Sequence, residues 1–562
     1  MNMTSALTES YGKGATDVPL IEQPIGDFFD DMVDKHPDRE ALISRHEGRR
    51  YTYRALQAES SKLASALLNL GLAPGDRVGI WSHNNVPWVL MQIATAKVGL
   101  ILVNINPAYR TSELEYALNK VGCKALVTMA QFKTSDYLGM LRELGPAKLP
   151  QLLHTFWIDK PGQGHTEEEQ PGMQRFSRLL ASGDATDVRI AQVQKTLKAT
   201  DPINIQFTSG TTGFPKGATL THRNILNNGF FIGECMKLSP VDKLCIPVPL
   251  YHCFGMVLGN LACLTHGSAI VYPNDGFDAL TVLETVQAEK CTGLHGVPTM
   301  FIAELDHPRF KEFDLSTLRT GIMAGSPCPT EVMKRVVDQM HLNEITIAYG
   351  MTETSPVSCQ SSTDTPLDKR VSTVGTVQPH LEVKIIDPET GAIVPVGQSG
   401  ELCTRGYSVM HGYWEDEPRT RETIDAEHWM HTGDLATMDA EGYVNIVGRI
   451  KDLVIRGGEN IYPREIEEFL YRHPKVQDVQ VVGLPDRKYG EELCAWIIVK
   501  PGQSATDEDI RSFCKGQIAH YKVPKYIQFV TEFPMTVTGK IQKFKIRDAM
   551  TEQLGLTKEK TA

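Results

Sequence analysis

The stretch Ile203-Asn204-Ile205-Gln206-Phe207-Thr208-Ser209-Gly210-Thr211-Thr212-Gly213-Phe214-Pro215-Lys216-Gly217 joins an apolar run to a loop of hydroxyls, glycines and one lysine. The run reads as a strand. Glycine lets the backbone after it turn sharply and come close to an anion, so that N–H groups point at phosphate oxygens. Thr208, Ser209, Thr211 and Thr212 add hydroxyl donors, and Lys216 adds a point charge suited to a polyphosphate. No acid interrupts the loop, and the Gly-x4-Gly-Lys-Ser/Thr pattern of kinases and GTPases is absent. On composition alone such a segment is equally a surface turn. Its surroundings decide.

Upstream, helical and strand patterns alternate. Tyr53 to Leu70 places Leu56, Leu63, Leu67 and Leu70 on one helical face. Arg77–Trp81 reads as a strand, Val86–Ala96 as a helix, Leu100–Asn104 as a strand, Thr111–Val121 as a helix capped by Thr111 or Ser112, and Lys124–Met129 as a strand. Such alternation predicts an α/β fold with parallel sheets covered by helices. It resumes from Ile203 to Gly350. From about residue 371 to 448 short β runs separated by turns such as Pro388-Glu389-Thr390-Gly391 predict a small β-rich subdomain. Residues 450–562 alternate again and read as a small mobile α+β domain following an amino-terminal domain of residues 1–449. Asp159 to Gly172, with Glu167-Glu168-Glu169, reads as a solvated loop.

At 562 residues the chain is too long for one core. Its 41% hydrophobic and 22% charged content is that of a globular protein, and a net charge of −11 argues against nucleic acid or an anionic membrane as the main partner. Eleven cysteines stand singly, with no Cys-x2-Cys pair, which fits a reducing cytoplasm and excludes a disulfide framework. Met1 to Leu20 has no apolar signal-peptide core. The most apolar segment, Val86 to Ile105, is broken by Gln92, Thr95, Lys97 and Asn104 and reads as a buried helix plus strand, not a membrane span.

Five further segments carry chemistry. Tyr349-Gly350-Met351-Thr352-Glu353-Thr354 combines a ring suited to stacking on a purine, a hydroxyl suited to a phosphate, and in Glu353 a hard oxygen ligand for Mg²⁺. His431-Thr432-Gly433-Asp434 ends a polar turn in a carboxylate able to accept from both ribose hydroxyls. Gly448-Arg449-Ile450-Lys451-Asp452 sets an arginine at the expected domain boundary. Pro534-Met535-Thr536-Val537-Thr538-Gly539-Lys540 puts a lysine on a glycine-containing loop, and Pro249-Leu250-Tyr251-His252-Cys253-Phe254-Gly255 is an aromatic turn fit to gate an apolar pocket. Each alone has an ordinary alternative: a solvated acid, a turn acid, a mobile surface lysine, a satisfied core histidine. Their joint occurrence, in this order, outweighs those alternatives.

In these motifs the chain, from about Gly26 to Ala549, resembles the acyl-adenylate-forming superfamily of acyl-CoA synthetases, peptide-synthetase adenylation domains and firefly-type luciferases. Gly448 to Asp452 followed by Ile455-Arg456-Gly457-Gly458-Glu459-Asn460-Ile461, with Val103-Asn104-Ile105-Asn106-Pro107-Ala108-Tyr109, looks most like its medium- and long-chain fatty acyl-CoA synthetases. The resemblance implies that Thr208 to Gly217 wrap the β- and γ-phosphates of ATP, Gly325-Ser326-Pro327 and Tyr349 bracket adenine, Thr352 meets the α-phosphate and Glu353 binds Mg²⁺. It implies that Asp434 and Arg449 hold the ribose, Lys451 is the hinge, and Lys540 touches the carboxylate and the α-phosphate. Gly457, Gly458 and Glu459 would border the pantetheine channel, with His252 between it and the acyl site.

The implied reaction activates a fatty acid as acyl-AMP with release of pyrophosphate, then transfers the acyl group to the thiol of CoA with release of AMP. The alternatives are ligation of an aryl, branched, terpenoid or sulfur-containing acid, a stand-alone adenylation domain, or a non-catalytic nucleotide-binding scaffold. Met256, Val257, Val297 and Met323 favour an aliphatic chain. Oligomeric state is open, a homodimer being one option.

Overall fold

The computed structural model describes residues 7–159, 172–208, 215–326, 328–456, 459–515, 517–536 and 541–556. Two large sheets carry the amino-terminal part. In the first, strands Met173–Arg175, His154–Ile158, Ala125–Met129, Arg77–Trp81, Ile101–Asn104 and Pro202–Thr208 run parallel in that spatial order. Lys216–Thr221 and the two-residue Gly412–Tyr413 then close it antiparallel. The second has nine strands, parallel in the middle from Glu344–Gly350 to Glu40–Ser44 and antiparallel at its edges.

Helix Val86–Lys97 is buried along its whole length. A helix apolar on every side belongs inside, and here the Asn85 side chain caps it by accepting from the Trp88 N–H at 3.0 Å. Lys97, which broke the apolar run, is 2% exposed and ends on Asp30 at 2.5 Å, above the Phe29 ring. Among the described residues no helix is long and apolar enough to cross a membrane. The strand and helix expectations hold to within a residue or two, with one correction at a cap. Helix Thr111–Val121 starts from Arg110, whose backbone N–H bonds to Glu113 Oε2 at 2.9 Å. The glutamate satisfies the free N–H, so no hydroxyl cap is used.

The β-rich subdomain is a five-stranded antiparallel sheet, ordered Tyr11–Lys13, Leu381–Ile386, Gly400–Gly406, Met430–Met438, Val444–Arg449. Its first strand comes from the other end of the chain. Beyond it, Val476–Asp486 and Gly490–Val499 form a long antiparallel pair, extended by Val454–Arg456, Glu459–Ile461 and the parallel Tyr526–Phe529. Helices Pro463–Leu470, Asp507–Cys514 and Lys543–Gln553 accompany this sheet. Its two apolar clusters draw only on residues from Val454 onward, as a separate core requires.

Candidate active site

Sheet register assembles one half of the site. Asp434 on Met430–Met438 lies directly opposite Arg449 on Val444–Arg449. At that spacing side chains of opposite charge meet, and Arg449 Nε donates to Asp434 Oδ1 at 3.0 Å. Tyr349, at the end of the strand Glu344–Gly350, donates its hydroxyl to Asp434 Oδ2 at 2.7 Å. The carboxylate is only 4% exposed, and it holds the Arg449 guanidinium above its ordinary pKa. Burial and the same carboxylate push the Tyr349 phenol well up, so it stays a neutral donor.

His431 to Asp434, expected as a polar turn, instead belong to the strand Met430–Met438, whose register is irregular opposite Glu401 and Cys403, and this stretch has its own brace. Gly433 takes φ +70°, and its N–H donates to Glu401 Oε1 at 3.0 Å. Glu401 Oε2 meets His431 Nδ1 at 3.0 Å, with Cys403 Sγ at 3.5 Å from the same nitrogen. Together Cys403 and Glu401 push His431 up to about 10.

The other half converges from three elements. After Tyr349 the chain passes so close to Pro356 that a Cβ on Gly350 would sit 1.6 Å from the Pro356 carbonyl oxygen, so only glycine fits. The short 3-10 turn Thr352–Thr354 follows, with Thr352 and Glu353 buried. Glu353 Oε1 accepts from the Tyr413 hydroxyl at 2.9 Å, and Tyr413 Oη in turn accepts from Lys216 Nζ at 3.0 Å. Lys216 stands opposite Thr208 across the strands flanking the loop, and its ammonium lies 4.3 Å from the centre of the Tyr413 ring.

A neutral region lies beside this charged one. Asn104, Asn204 and Gln206 stand on adjacent strands, with Asn204 Nδ2 donating to Asn104 Oδ1 at 3.0 Å and Gln206 Nε2 to Asn204 Oδ1 at 2.9 Å. Asn104 donates to the Tyr251 carbonyl at 3.1 Å, and Cys253 Sγ lies 3.2 Å from Gln206 Oε1. These bonds tie the aromatic turn to the strand that ends in the glycine-rich loop. From Phe254 to Leu261 the chain then forms a π-helix, a rare element frequent at functional sites. His252 Nδ1 accepts from the Phe254 N–H at 3.3 Å. Met256, Val257 and Val297 are buried in the core cluster shared by both sheets, whereas Met323 belongs to the second cluster.

The description "AMP-binding enzyme" belongs to the family model that matches residues 29–414, and its carboxyl-terminal companion matches residues 465–540. The chain belongs to this family. Its curated relatives include YngI of Bacillus subtilis, 48% identical over 552 residues that make up 96% of this chain and 99% of that protein. The mitochondrial medium-chain acyl-CoA ligase ACSF2 of Danio rerio is 47% identical over 98% of this chain and 92% of its own. Among solved structures, the anthranilate CoA ligase AuaEII with anthranoyl-AMP matches at TM-score 0.85 and 28% identity, covering 96% of this chain and 99% of that one. ATP-bound MatB from Rhodopseudomonas palustris matches at 0.81 and 27%, covering 94% and 99%.

Of the residues singled out in the sequence, Tyr349, Asp434 and Arg449 meet in one cluster, and Glu353 and Lys216 meet through a tyrosine. Thr208, Pro215, Gly217, Gly325, Ser326, Thr352 and His252 lie on described segments; Glu459 and Lys451 are exposed, Glu459 in a strand and Lys451 in a 3-10 turn. Ser209, Gly210, Thr211, Thr212, Gly213, Phe214, Pro327, Gly457, Gly458 and Lys540 lie outside the described residues. Tyr413 and Glu401 were missed. A two-residue strand and a strand-borne glutamate carry no local signal. Their only mark was proximity to Trp414 and Cys403, which says nothing of chemistry.

Proposed function

We propose that this chain is an ATP-dependent acyl-CoA ligase acting on medium-length fatty acids, with the roles of individual residues as the motifs imply. The observation that carries the nucleotide reading is the Tyr349–Asp434–Arg449 cluster: a buried carboxylate held by a phenol and a guanidinium at a strand end. Asp434 accepts from the ribose hydroxyls with Arg449 beside it, and Gly325, Ser326 and Pro327 bracket adenine with Tyr349. Thr208 to Gly217 wrap the β- and γ-phosphates, with Thr352 at the α-phosphate.

A carboxylate oxygen is a poor leaving group, so the acid first attacks the α-phosphorus and expels pyrophosphate. Both reactants are anions, and fixed positive charge offsets their repulsion. Lys216 and Lys540 supply it. Glu353 offers one hard carboxylate oxygen set beside hydroxyls, which fits Mg²⁺, a cation that takes one or two carboxylates along with substrate phosphates. Bound there, the ion neutralises charge on the polyphosphate.

The CoA thiol then attacks the acyl carbon and AMP leaves. Lys540 has no part in this step, so residues 450–562 pivot at Lys451 to bring Gly457, Gly458 and Glu459 to the pantetheine, with His252 between channel and acid. The medium-chain acid rests on the ACSF2 likeness and on Met256, Val257 and Val297. All eleven cysteines are free thiols and ten are buried, which supports the reducing, cytoplasmic setting.

Single-turnover release of pyrophosphate with a panel of acids, followed by addition of CoA, tests the assignment. Medium-length straight-chain acids should give the fastest burst and then stoichiometric acyl-CoA. A burst confined to aryl or branched acids moves the substrate class, and none with any acid refutes the ligase. Lys451→Pro should uncouple pyrophosphate from acyl-CoA, because proline fixes φ where the chain must pivot.

A further inference from the structure

The segment Met410–Trp414 is a gauge between the two halves of the phosphate site. The Met410 N–H donates to the Glu353 carbonyl at 2.9 Å. The His411 N–H donates to the Thr219 carbonyl at 2.9 Å, and the Trp414 N–H to the Gly217 carbonyl at 2.7 Å. One stretch of backbone therefore spaces the acidic turn from the strand that leaves the glycine-rich loop. Tyr413, 6% exposed, points its hydroxyl into that space, with Thr420 Oγ1 fixing its own N–H at 2.9 Å.

Lys216 and Glu353 are opposite charges on neighbouring elements, and the short route for them is a direct ion pair. Among the described residues the contact between them runs through Tyr413 instead. The phenol stands between them, accepting from the ammonium and donating to the carboxylate. A direct pair would neutralise both groups before any ligand arrived, and a ligand would have to break it.

We propose that Tyr413 is a positioning residue for nucleotide activation: its hydroxyl keeps Lys216 and Glu353 apart, so that one is presented to phosphate and the other to a divalent cation. This rests on the reading of Lys216 and Glu353 given above. The buried phenol, pushed well up by burial and by Glu353, remains a neutral donor throughout the working range. Its ring lies against the ammonium, so ring and hydroxyl have separable roles.

The test is calorimetric titration of Mg²⁺ into the ATP-bound enzyme without acid, so that nothing turns over. Tyr413→Phe keeps the ring and deletes both hydrogen bonds of the hydroxyl, the one from the ammonium and the one to the carboxylate, and its half-saturating Mg²⁺ should rise about tenfold. ATP affinity without metal should change little in Tyr413→Phe and fall in Tyr413→Leu. p-Aminophenylalanine at 413 restores a donor and should recover most of the Mg²⁺ affinity. It also covers the case in which Tyr413→Phe melts early. Glu353→Gln runs alongside. If Glu353→Gln weakens Mg²⁺ binding and Tyr413→Phe does not, the proposal is overturned while the metal reading stands. If neither variant weakens it, the metal reading fails and takes the proposal with it.

Discussion

The two polar regions beside the glycine-rich loop are built from opposite materials. On the nucleotide side two buried carboxylates handle charge: Asp434 faces the exposed Arg449 guanidinium and a phenol, and Glu353 is joined through a phenol to the half-buried Lys216. On the aromatic-turn side, Asn104, Asn204 and Gln206 form a fully neutral ladder, bonded to one another, to a backbone carbonyl and to a thiol. Buried charge is costly unless it is paired, and a neutral amide network is not. On the proposed reading, charge is handled where phosphates would sit, and not where an apolar acid would lie.

The sharpest way to break this division is Lys540→Ala. Acyl-adenylate formation should fall on the order of a hundredfold to a thousandfold, as when one fixed charge-stabilising contact is removed. CoA transfer from a supplied acyl-adenylate should persist. Equal losses in both half-reactions, measured in single turnover, would show that the lysine serves something common to both.

Asp434→Ala strips Arg449 and Tyr349 of their shared acceptor. KM for ATP should rise by roughly tenfold to a hundredfold, the worth of hydrogen bonds to a charged group, with KM for the acid nearly unchanged. A matching rise for the acid would erase the boundary between the regions.

Much of this was open to reading along the chain. Val86–Lys97 and Arg77–Trp81 declare themselves because one is mostly apolar on every side and the other sits in a regular α/β alternation. Tyr349, Asp434 and Arg449 were legible as motif members, though not as a cluster, since three strands separated in sequence bring them together. Tyr11–Lys13 is three residues long and too short for any period to show. The π-helix Phe254–Leu261 differs from an ordinary apolar helix only in hydrogen-bond register, which composition does not encode. Tyr413 gains its place from the pairing of Gly412–Tyr413 with Thr219 and Ala218 and from the Thr420 hydroxyl, none of which its local sequence announces.

A smaller effect should follow Glu353→Gln: about a tenfold higher Mg²⁺ requirement for pyrophosphate release, since an amide is a weaker ligand than a carboxylate. On the neutral side, Gln206→Leu leaves the Asn204 carbonyl without its donor and should lower stability by about 1–3 kcal/mol. Chemical denaturation reads the loss, and KM for ATP should hold steady while KM for the acid rises. A change confined to ATP would reverse the assignment of the two regions.

The mildest test uses pH. His431 is raised from 6.5 to about 10, so its pairing contributes fully to stability below pH 6.5 and is lost as pH rises through 10. Thermal unfolding should show a shallow decline over that window, flattened in Glu401→Gln. An unchanged slope in the variant would mean that Glu401 does not brace the strand before Asp434.

The strand Tyr11–Lys13 pairs with Leu381–Ile386, and Tyr11 and Glu382 are 371 residues apart. During synthesis at about 5–20 residues per second, the early strand waits on the order of tens of seconds for its partner to leave the ribosome. Until then the edge of the five-stranded sheet does not exist, and the leading segment has nothing to pair with. Completion of that sheet therefore waits on its later strands, and the segment that seals it emerges 371 residues before the residue it bonds.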